Sequence, residues 1–169
     1  MSAADLVSVI RALATIPIAW AILVDGRAAA LVLFLAAAAT DALDGWLARR
    51  TPSVGARGAV LDPLADKVLV VGTLLALTAV GSGWPVTLVT ILVALREGVV
   101  TLARLRAHAQ GIAIPADLVA KAKTVIEMVG VALVIFGGRP WSVLGAGLVG
   151  LSVAIGLATL PRYFTKRLA

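Results

Sequence analysis

The chain of 169 residues is 61% hydrophobic, contains no cysteine and carries a formal net charge of +6 at pH 7. Apolar residues make up roughly 45–50% of ordinary soluble domains, so this composition indicates a membrane protein, and the lack of cysteine excludes disulfide bonds and thiolate metal sites. The basic residues cluster at the ends of apolar stretches, which membrane topology explains better than a nucleic-acid partner does.

Six apolar segments follow one another along the chain. A spanning helix needs about 20 mostly apolar residues, and turn-forming residues separate stretches of about that length. They lie at residues 6–24, 28–48, 59–80, 85–105, 119–137 and 141–160. We therefore predict an all-α integral membrane protein with six transmembrane helices in a single domain over residues 1–169. The first apolar run is expected to be a retained helix and not a removed signal peptide.

The basic residues are distributed unevenly between the two sides of these six helices. If the N-terminus is cytoplasmic, 13 of the 15 lysine and arginine residues fall on the cytoplasmic side, and only Arg27 and Arg139 fall on the other. Some of the 13, such as Lys67 and Arg96, lie within helices, but the imbalance survives their removal. This distribution predicts an N-in, C-in orientation in the cell membrane.

Four aspartates interrupt the apolar pattern near the predicted cytoplasmic ends of the second and third segments. They are Asp41, Asp44, Asp62 and Asp66. Residues three or four apart share a helix face, so each helix would present a pair of carboxylates. Carboxylates in membrane segments are costly and usually face a polar cavity that serves a function. Oxygen ligands without cysteine, and with a single histidine, suit Mg²⁺, Mn²⁺ or Ca²⁺ better than zinc. Two such ions could clamp a pyrophosphate during in-line attack by an alkoxide.

The residues around these carboxylates suit a phosphate-containing ligand. Gly45, Ala48 and Gly58 would leave gaps on the helix surfaces through which a ligand can approach the backbone. Arg49 could pair with a phosphate oxygen. The alternative is that the four aspartates only neutralise the basic residues near them, as buried ion pairs in membrane helices often do.

Together these residues form the pattern D-x-x-D-G-x-x-A-R, then eight residues, then G-x-x-x-D-x-x-x-D. The pattern resembles the signature of the CDP-alcohol phosphatidyltransferase family and matches it at all eight fixed positions. The six-helix plan extends the resemblance over essentially the whole chain. Members of this family transfer a phosphatidyl or similar phospho-group from a CDP-linked donor to an alcohol and release CMP, and they are commonly homodimeric.

The resemblance implies roles for the conserved positions of the family pattern. Asp41, Asp44, Asp62 and Asp66 would bind Mg²⁺ or Mn²⁺, with two ions expected, and Asp66 would also be the general base on the acceptor hydroxyl. The CDP diphosphate would contact the remaining fixed positions, which are Gly45, Ala48, Arg49 and Gly58.

The start of the first segment resembles a further family pattern, N-x-x-T-x-x-R. Asp5 and Ser8 stand where that pattern has Asn and Thr, and Arg11 follows at the arginine position. Asp5 and Ser8 are therefore expected to line the nucleotide side of the site. The alternative is an ordinary helix N-terminal cap followed by an interfacial Arg11.

Basic residues on the fourth and fifth segments predict where the acceptor binds. Arg96, Lys121 and Lys123 would give a cationic pocket for an acceptor that itself carries a phosphate. The stretch around the lysines resembles the G-K-x-K-T-x-x-Q-M of phosphatidylglycerophosphate synthases, with Ala120 and Glu127 in place of Gly and Gln. The alternatives are membrane anchoring by the lysines and a simple ion pair between Arg96 and its neighbour in the sequence.

The function implied by the resemblance is phospholipid synthesis at the membrane. The donor would be CDP-diacylglycerol and the acceptor glycerol 3-phosphate, giving phosphatidylglycerol phosphate and CMP at an active site that faces the cytoplasm. Cardiolipin synthesis, with phosphatidylglycerol as acceptor, and phosphatidylinositol phosphate synthesis are alternatives within the family. A cation or proton carrier is an alternative of another class, but it needs polar groups through the whole membrane. A non-catalytic lipid-binding protein would not need this carboxylate spacing.

Overall fold

The structure, a computed structural model, describes residues 3–48, 58–109 and 118–158, with side chains at 6–40, 64–102 and 122–158. The described part of the chain is all-helical and contains six helices. These are α1 (Ala3–Leu23), α2 (Arg27–Ala48), α3 (Gly58–Ala79), α4 (Trp84–Ala109), α5 (Leu118–Phe136) and α6 (Arg139–Ala158).

Each of the six predicted segments corresponds to one helix, with ends that differ by four residues or fewer. Within the described residues, three stretches are long and apolar enough to cross a membrane: Leu6–Leu23, Trp84–Leu102 and Arg139–Ala158. On α2, Arg27–Thr40 is a shorter apolar stretch. The all-helical prediction is thus confirmed, whereas six membrane spans and the N-in, C-in orientation stay predictions.

The α1–α2, α3–α4 and α5–α6 turns are short, and each contains a residue in the left-handed conformation, which in the α5–α6 turn is Gly137 with a φ of 85°. Asp25 has a φ of 58° and ends α1, where the N–H of Gly26 donates to the carbonyl of Ala21 at 2.7 Å. Gly81 has a φ of 74° and ends α3 in the same way, with the N–H of Ser82 donating to Leu77 at 3.1 Å. This six-to-one hydrogen bond is typical of the Schellman motif, which satisfies carbonyls at a helix C-terminus.

All three of these turns lie at one end of the bundle. The guanidinium of Arg27, at the start of α2, lies against Gly137 in the α5–α6 turn. Along α4 and α6, Val89 approaches Gly150 and Arg96 approaches Gly156, so these helices run in the same direction. Consequently α1, α3 and α5 all begin at the opposite end, where α2, α4 and α6 finish. We call this opposite end the open end.

The faces of α1 show that the bundle is polar inside and apolar outside at this level. Ser8, Arg11 and Thr15 are buried, whereas Ile16 and Trp20 are each about two-thirds exposed. Thr15 packs directly on Gly72 of α3. A soluble protein would bury the isoleucine and tryptophan and expose the arginine, so this distribution is that of a helix surrounded by lipid.

A hydrophobic core occupies the part of the bundle nearer the turns. It includes Ile18, Phe34, Leu74, Val86, Val134 and Val149, all fully buried. Helices α5 and α6 cross at Gly130 and Gly145, where a Cβ atom on Gly145 would lie 2.5 Å from the carbonyl oxygen of Gly130. Such close backbone approach through small residues is the usual way in which helices pack in membranes. This core cluster is apolar, and the buried charged side chains lie closer to the open end.

Candidate active site

The four predicted metal-binding aspartates lie on the two helices expected to carry them. Asp41 and Asp44 are in the last two turns of α2, and Asp62 and Asp66 are in the first turns of α3. The side chains of Asp41, Asp44 and Asp62 lie outside the described part of the structure. The described side chain is that of Asp66, which is half-buried, and its Oδ1 atom is fully enclosed.

Both carboxylate-bearing helices pack on α1. Helices α1 and α3 run in the same direction and touch at Thr15 and Gly72. Arg11 and Ser8, which lie one and two turns closer to the open end than Thr15, are therefore level with residues 65–68 of α3. Helices α1 and α2 meet at Asp25 and run in opposite directions, so Ser8 and Arg11 are level with residues 39–42 of α2, which are equally far from Asp25 in the sequence. The helix geometry therefore brings Asp41 and Asp66 to the same level of the bundle, with the polar face of α1 beside them.

Arg11 is a buried cation at this level. It is 2% exposed and is the largest fully buried side chain among the described residues, and Ser8 beside it is 4% exposed. The sequence-based alternative of an interfacial Arg11 is therefore wrong, because the side chain points into the bundle. The three-residue spacing of Ser8 and Arg11, continued by Thr15, is the pattern that indicates a shared inner face.

A second group of charges lies between α3, α4 and α5, and we call it the charge cluster. It consists of Lys67, Arg96, Glu97, Lys123 and Glu127. Glu97 Oε2 lies 3.3 Å from Lys67 Nζ, and Glu97 Oε1 lies 3.4 Å from Lys123 Nζ and also contacts Arg96 Nη1. Lys123 Nζ is 2.9 Å from Glu127 Oε2. Every one of these five side chains is at least four-fifths buried.

Hydrogen bonds and close packing fix the cluster to its helices. Lys67 Nζ donates to Thr101 Oγ1, and that hydroxyl donates to the carbonyl of Glu97 at 2.6 Å. The guanidinium of Arg96 lies on the backbone of Gly156 in α6. Arg96 Nε is enclosed and has no hydrogen-bond partner among the described residues. Since buried N–H groups are nearly always satisfied, this donor is one that an anion could use.

The structure brings two of the three predicted acceptor-binding residues together. Arg96 and Lys123 come together through Glu97. The ion pair between Arg96 and Glu97, which was the sequence-based alternative to acceptor binding, is present. Lys121 is on α5, but its side chain lies outside the described residues. Lys67 was expected only to contribute to topology or to neutralise an aspartate, and the structure adds it to the cluster.

The predicted nucleotide-binding residues are described mainly through their backbone. Asp5 is in the first turns of α1, Gly45 and Ala48 are at the end of α2, and Gly58 begins α3. Arg49 lies outside the described residues. Ser8 is the one whose side chain is described, and it is buried on the inner face of α1. All the helical members of this set are at the open end.

The arrangement combines two features that suit transfer between phosphorylated substrates. Carboxylates on α2 and α3 share a level of the bundle with buried cations on α1, α3, α4 and α5. In the cluster, three cations from α3, α4 and α5 lie around the carboxylate of Glu97. Arg96 Nε has no hydrogen-bond partner among the described residues, and a bound anion could accept a hydrogen bond from it.

Comparison with known proteins agrees with this chemistry. The sequence profile of the family described as CDP-alcohol phosphatidyltransferase matches residues 1–160. Several relatives are named CDP-diacylglycerol–glycerol-3-phosphate 3-phosphatidyltransferase. One from Mycoplasma genitalium is 34% identical over 134 residues, which are 78% of this chain and 55% of the relative. The chain therefore spans about half the length of that relative.

Two further relatives with this name are covered over more of their length. The protein from Shigella flexneri serotype 5b is 31% identical over 140 residues, which are 81% of this chain and 77% of the relative. The protein from Salmonella choleraesuis is 30% identical over 153 residues, which are 89% of this chain and 81% of the relative. With the family profile matched from residue 1 to residue 160, the chain belongs to the CDP-alcohol phosphatidyltransferase family.

Proposed function

We propose that the chain is a membrane transferase of phospholipid synthesis that moves the phosphatidyl group of CDP-diacylglycerol to glycerol 3-phosphate. The products are phosphatidylglycerol phosphate and CMP. The observation that carries the choice of acceptor is the buried set of Lys67, Arg96 and Lys123, in which Lys67 directly follows Asp66 on α3. The names of the relatives support the same acceptor.

The donor atoms of the aspartates fit a hard divalent cation. Four carboxylates, at helical spacing on two helices that both pack on α1, offer oxygen ligands alone. This set suits Mg²⁺ or Mn²⁺, and we propose that Asp41, Asp44, Asp62 and Asp66 hold two ions. Bound divalent cations would neutralise the diphosphate and stabilise CMP as the leaving group.

Asp66 is proposed as the general base. Its carboxylate takes the proton of the acceptor hydroxyl as the hydroxyl oxygen attacks the phosphorus atom that carries diacylglycerol. The bond from that phosphorus to the bridging oxygen breaks, and CMP leaves with the bridging oxygen and its electron pair. The half-buried position of Asp66 near the start of α3 supports this role, because a base must be reachable yet shielded from bulk water.

The other residues bind and orient the two substrates. Lys67, Arg96, Lys121 and Lys123 are proposed to hold the phosphate of glycerol 3-phosphate, since guanidinium and ammonium groups bind phosphate oxygens with charge-assisted hydrogen bonds. The diphosphate and cytidine are proposed to contact the remaining predicted residues, which are Asp5, Ser8, Gly45, Ala48, Arg49 and Gly58. Holding both substrates in line removes much of the entropic cost of their encounter.

The proposed enzyme crosses the cell membrane six times, with both termini and the active site at the cytoplasmic face. The predicted topology leaves two basic residues, Arg27 and Arg139, for the turn end of the bundle, where they begin α2 and α6, and this distribution supports the orientation. The single domain over residues 1–169 and the homodimer stay proposals that rest on the family.

The alternative functions have less support. The names of the relatives favour glycerol 3-phosphate over phosphatidylglycerol or an inositol phosphate. A cation or proton carrier would need charged groups along the whole path. Among the described residues, the charged side chains that are at least four-fifths buried lie towards the open end and include Arg11, Lys67, Arg96, Glu97, Lys123 and Glu127. The buried polar groups nearer the turns are neutral hydroxyls.

The proposal is tested by release of CMP from CDP-diacylglycerol by the purified protein with Mg²⁺ or Mn²⁺. Glycerol 3-phosphate, phosphatidylglycerol and inositol phosphate are supplied one at a time. We expect metal-dependent release with glycerol 3-phosphate alone. Release with a different acceptor would refute the choice of acceptor, and no release from folded protein with any of them would refute the choice of donor or of acceptor class.

A further inference from the structure

One carboxylate is shared by basic side chains from three helices. Glu97 on α4 is 9% exposed, and its two oxygens contact Lys67 of α3, Lys123 of α5 and its own neighbour Arg96. Glu127, the other carboxylate of the charge cluster, is paired with Lys123. Glu97 is therefore the group through which all three cations of the cluster are joined.

Three cations within reach of one point repel each other strongly where water is excluded. Like charges a few ångströms apart repel each other much more strongly in such surroundings than in bulk water, because the effective dielectric constant is lower. The carboxylate of Glu97 offsets this repulsion and sets the distances among the three cations. Without it, the two ammonium groups and the guanidinium would move apart, because buried charges without a counter-charge are strongly unfavourable.

The cluster is also more than an ion-pair network that ties helices together. Lys67 follows Asp66 directly in α3, so the group that Glu97 holds is adjacent to the proposed base. Arg96 Nε in the cluster is enclosed and has no hydrogen-bond partner among the described residues. A network built only for stability would be expected to satisfy this donor.

We propose that Glu97 is a positioning residue for the acceptor, which fixes Lys67, Arg96 and Lys123 around one point that binds a phosphate group. This inference rests on the proposed function, because it assumes that the acceptor carries the phosphate. Glu97 itself does not touch the phosphate, since like charges repel. Glu97 acts through the three cations, so its removal would disturb their positions and weaken phosphate binding.

The test is Glu97→Gln, which keeps the size of the side chain and removes its negative charge. A charge-assisted hydrogen bond contributes about 1.5–3 kcal/mol, which corresponds to roughly 10- to 100-fold in an equilibrium constant. We expect the KM for glycerol 3-phosphate to rise by about that factor. The inhibition constant of inorganic phosphate, as a competitor of glycerol 3-phosphate, should rise by the same factor. The KM for CDP-diacylglycerol should stay within about twofold of the wild-type value.

The matched control is Asp25→Asn, which also removes one negative charge. Asp25 is exposed in the α1–α2 turn, and asparagine tolerates its positive φ of 58°. This variant should keep the wild-type KM for both substrates. If it raises the KM for glycerol 3-phosphate as much as Glu97→Gln does, net charge and not position is responsible, and the inference is wrong.

Glu97→Asp is a second test of the positioning role, because it keeps the charge and shortens the side chain by one methylene. We expect it to raise the same KM by less than Glu97→Gln does, with the KM for CDP-diacylglycerol unchanged. It also decides the matter if Glu97→Gln does not fold. An unchanged or lower KM for glycerol 3-phosphate in either folded variant would overturn the inference, and so would a parallel rise in the KM of both substrates.

Failure of the proposed function would look different. Wild-type protein would then release no CMP with glycerol 3-phosphate, whatever the behaviour of the variants. Direct binding of radiolabelled inorganic phosphate to the wild type and to Glu97→Gln would still test the positioning role. Weaker phosphate binding by the variant would support that role, and equal or tighter binding would overturn it.

Discussion

The guanidinium of Arg96 on α4 lies so close to Gly156 on α6 that a Cβ atom at residue 156 would stand 2.5 Å from Nη2 and 2.6 Å from Nε. Real side chains do not approach so closely, so the missing side chain at residue 156 is what lets Arg96 lie there. The position of Arg96 beside Glu97 therefore depends on a residue in another helix that carries no charge.

The first prediction follows from this contact. Gly156→Ala should displace the Arg96 guanidinium and raise the KM for glycerol 3-phosphate severalfold. Its stability loss should stay below the roughly 1–3 kcal/mol typical of overpacking, because the guanidinium is the end of a flexible side chain and can move. Steady-state CMP release and thermal unfolding in detergent measure the two effects. Gly147→Ala is the control on the same helix, because a Cβ there would meet nothing within 4 Å. Equal behaviour of the two variants would contradict the prediction.

The second prediction concerns the crossing of α5 and α6. A Cβ atom on Gly130 would lie 2.8 Å from the carbonyl oxygen of Gly145, and one on Gly145 would lie 2.5 Å from the oxygen of Gly130. Because backbone cannot rotate away as a side chain can, Gly145→Ala should force the helices apart and lower stability by about 1–3 kcal/mol.

Thermal unfolding of Gly145→Ala in detergent, beside Gly147→Ala, checks this second prediction. In a helix, alanine is favoured over glycine by roughly 0.5–1 kcal/mol, so the control should be unchanged or slightly more stable. A Gly145→Ala protein as stable as the control would show that the crossing has room for a methyl group.

Much of the fold could be predicted because the bilayer restricts it so strongly. A hydrocarbon layer about 30 Å thick sets the length of each apolar segment, and Gly, Pro and Asp mark the breaks, as at Asp25 and Gly81. The helix ends agree to within four residues for that reason. The family could be predicted as well, because the spacing of Asp41, Asp44, Asp62 and Asp66 matches the family pattern, and the family profile matches residues 1–160.

The contacts between helices could not be predicted in the same way. Hydropathy does not tell which face of a nearly uniform apolar helix turns inward, so the burial of Arg11 became visible only with the packing of α1. The meeting of Lys67 with Glu97 depends on the register of α3 against α4, and the sequence does not encode that register in a readable form. The contact between Arg96 and Gly156 could not be predicted for the same reason, because it depends on the register of α4 against α6.

The third prediction separates the two proposed roles of Asp66. Asp66→Asn keeps the shape of the side chain but removes its ability to accept a proton. General-base catalysis contributes about 10²- to 10⁴-fold, so CMP release should fall by roughly that factor. Binding of Mn²⁺, measured by electron paramagnetic resonance, should be largely retained, because three other aspartates remain.

Asp25→Asn is the control for this third prediction, since it makes the same chemical change at an exposed turn. Its activity should equal that of the wild type. If Asp66→Asn instead loses Mn²⁺ binding in proportion to its activity, Asp66 is mainly a metal ligand and another group must accept the proton.

The fourth prediction tests the orientation in the membrane, and the lack of native cysteine makes it direct. Arg139 is exposed at the start of α6, at the turn end of the bundle, and His108 is in the last turn of α4 at the open end. In intact cells, a membrane-impermeant maleimide should label Arg139→Cys and should reach His108→Cys only after permeabilisation, because the positive-inside distribution puts the open end in the cytoplasm. Labelling of His108→Cys in intact cells, with Arg139→Cys protected, would reverse the orientation and move the proposed active site to the opposite face, away from cytoplasmic glycerol 3-phosphate.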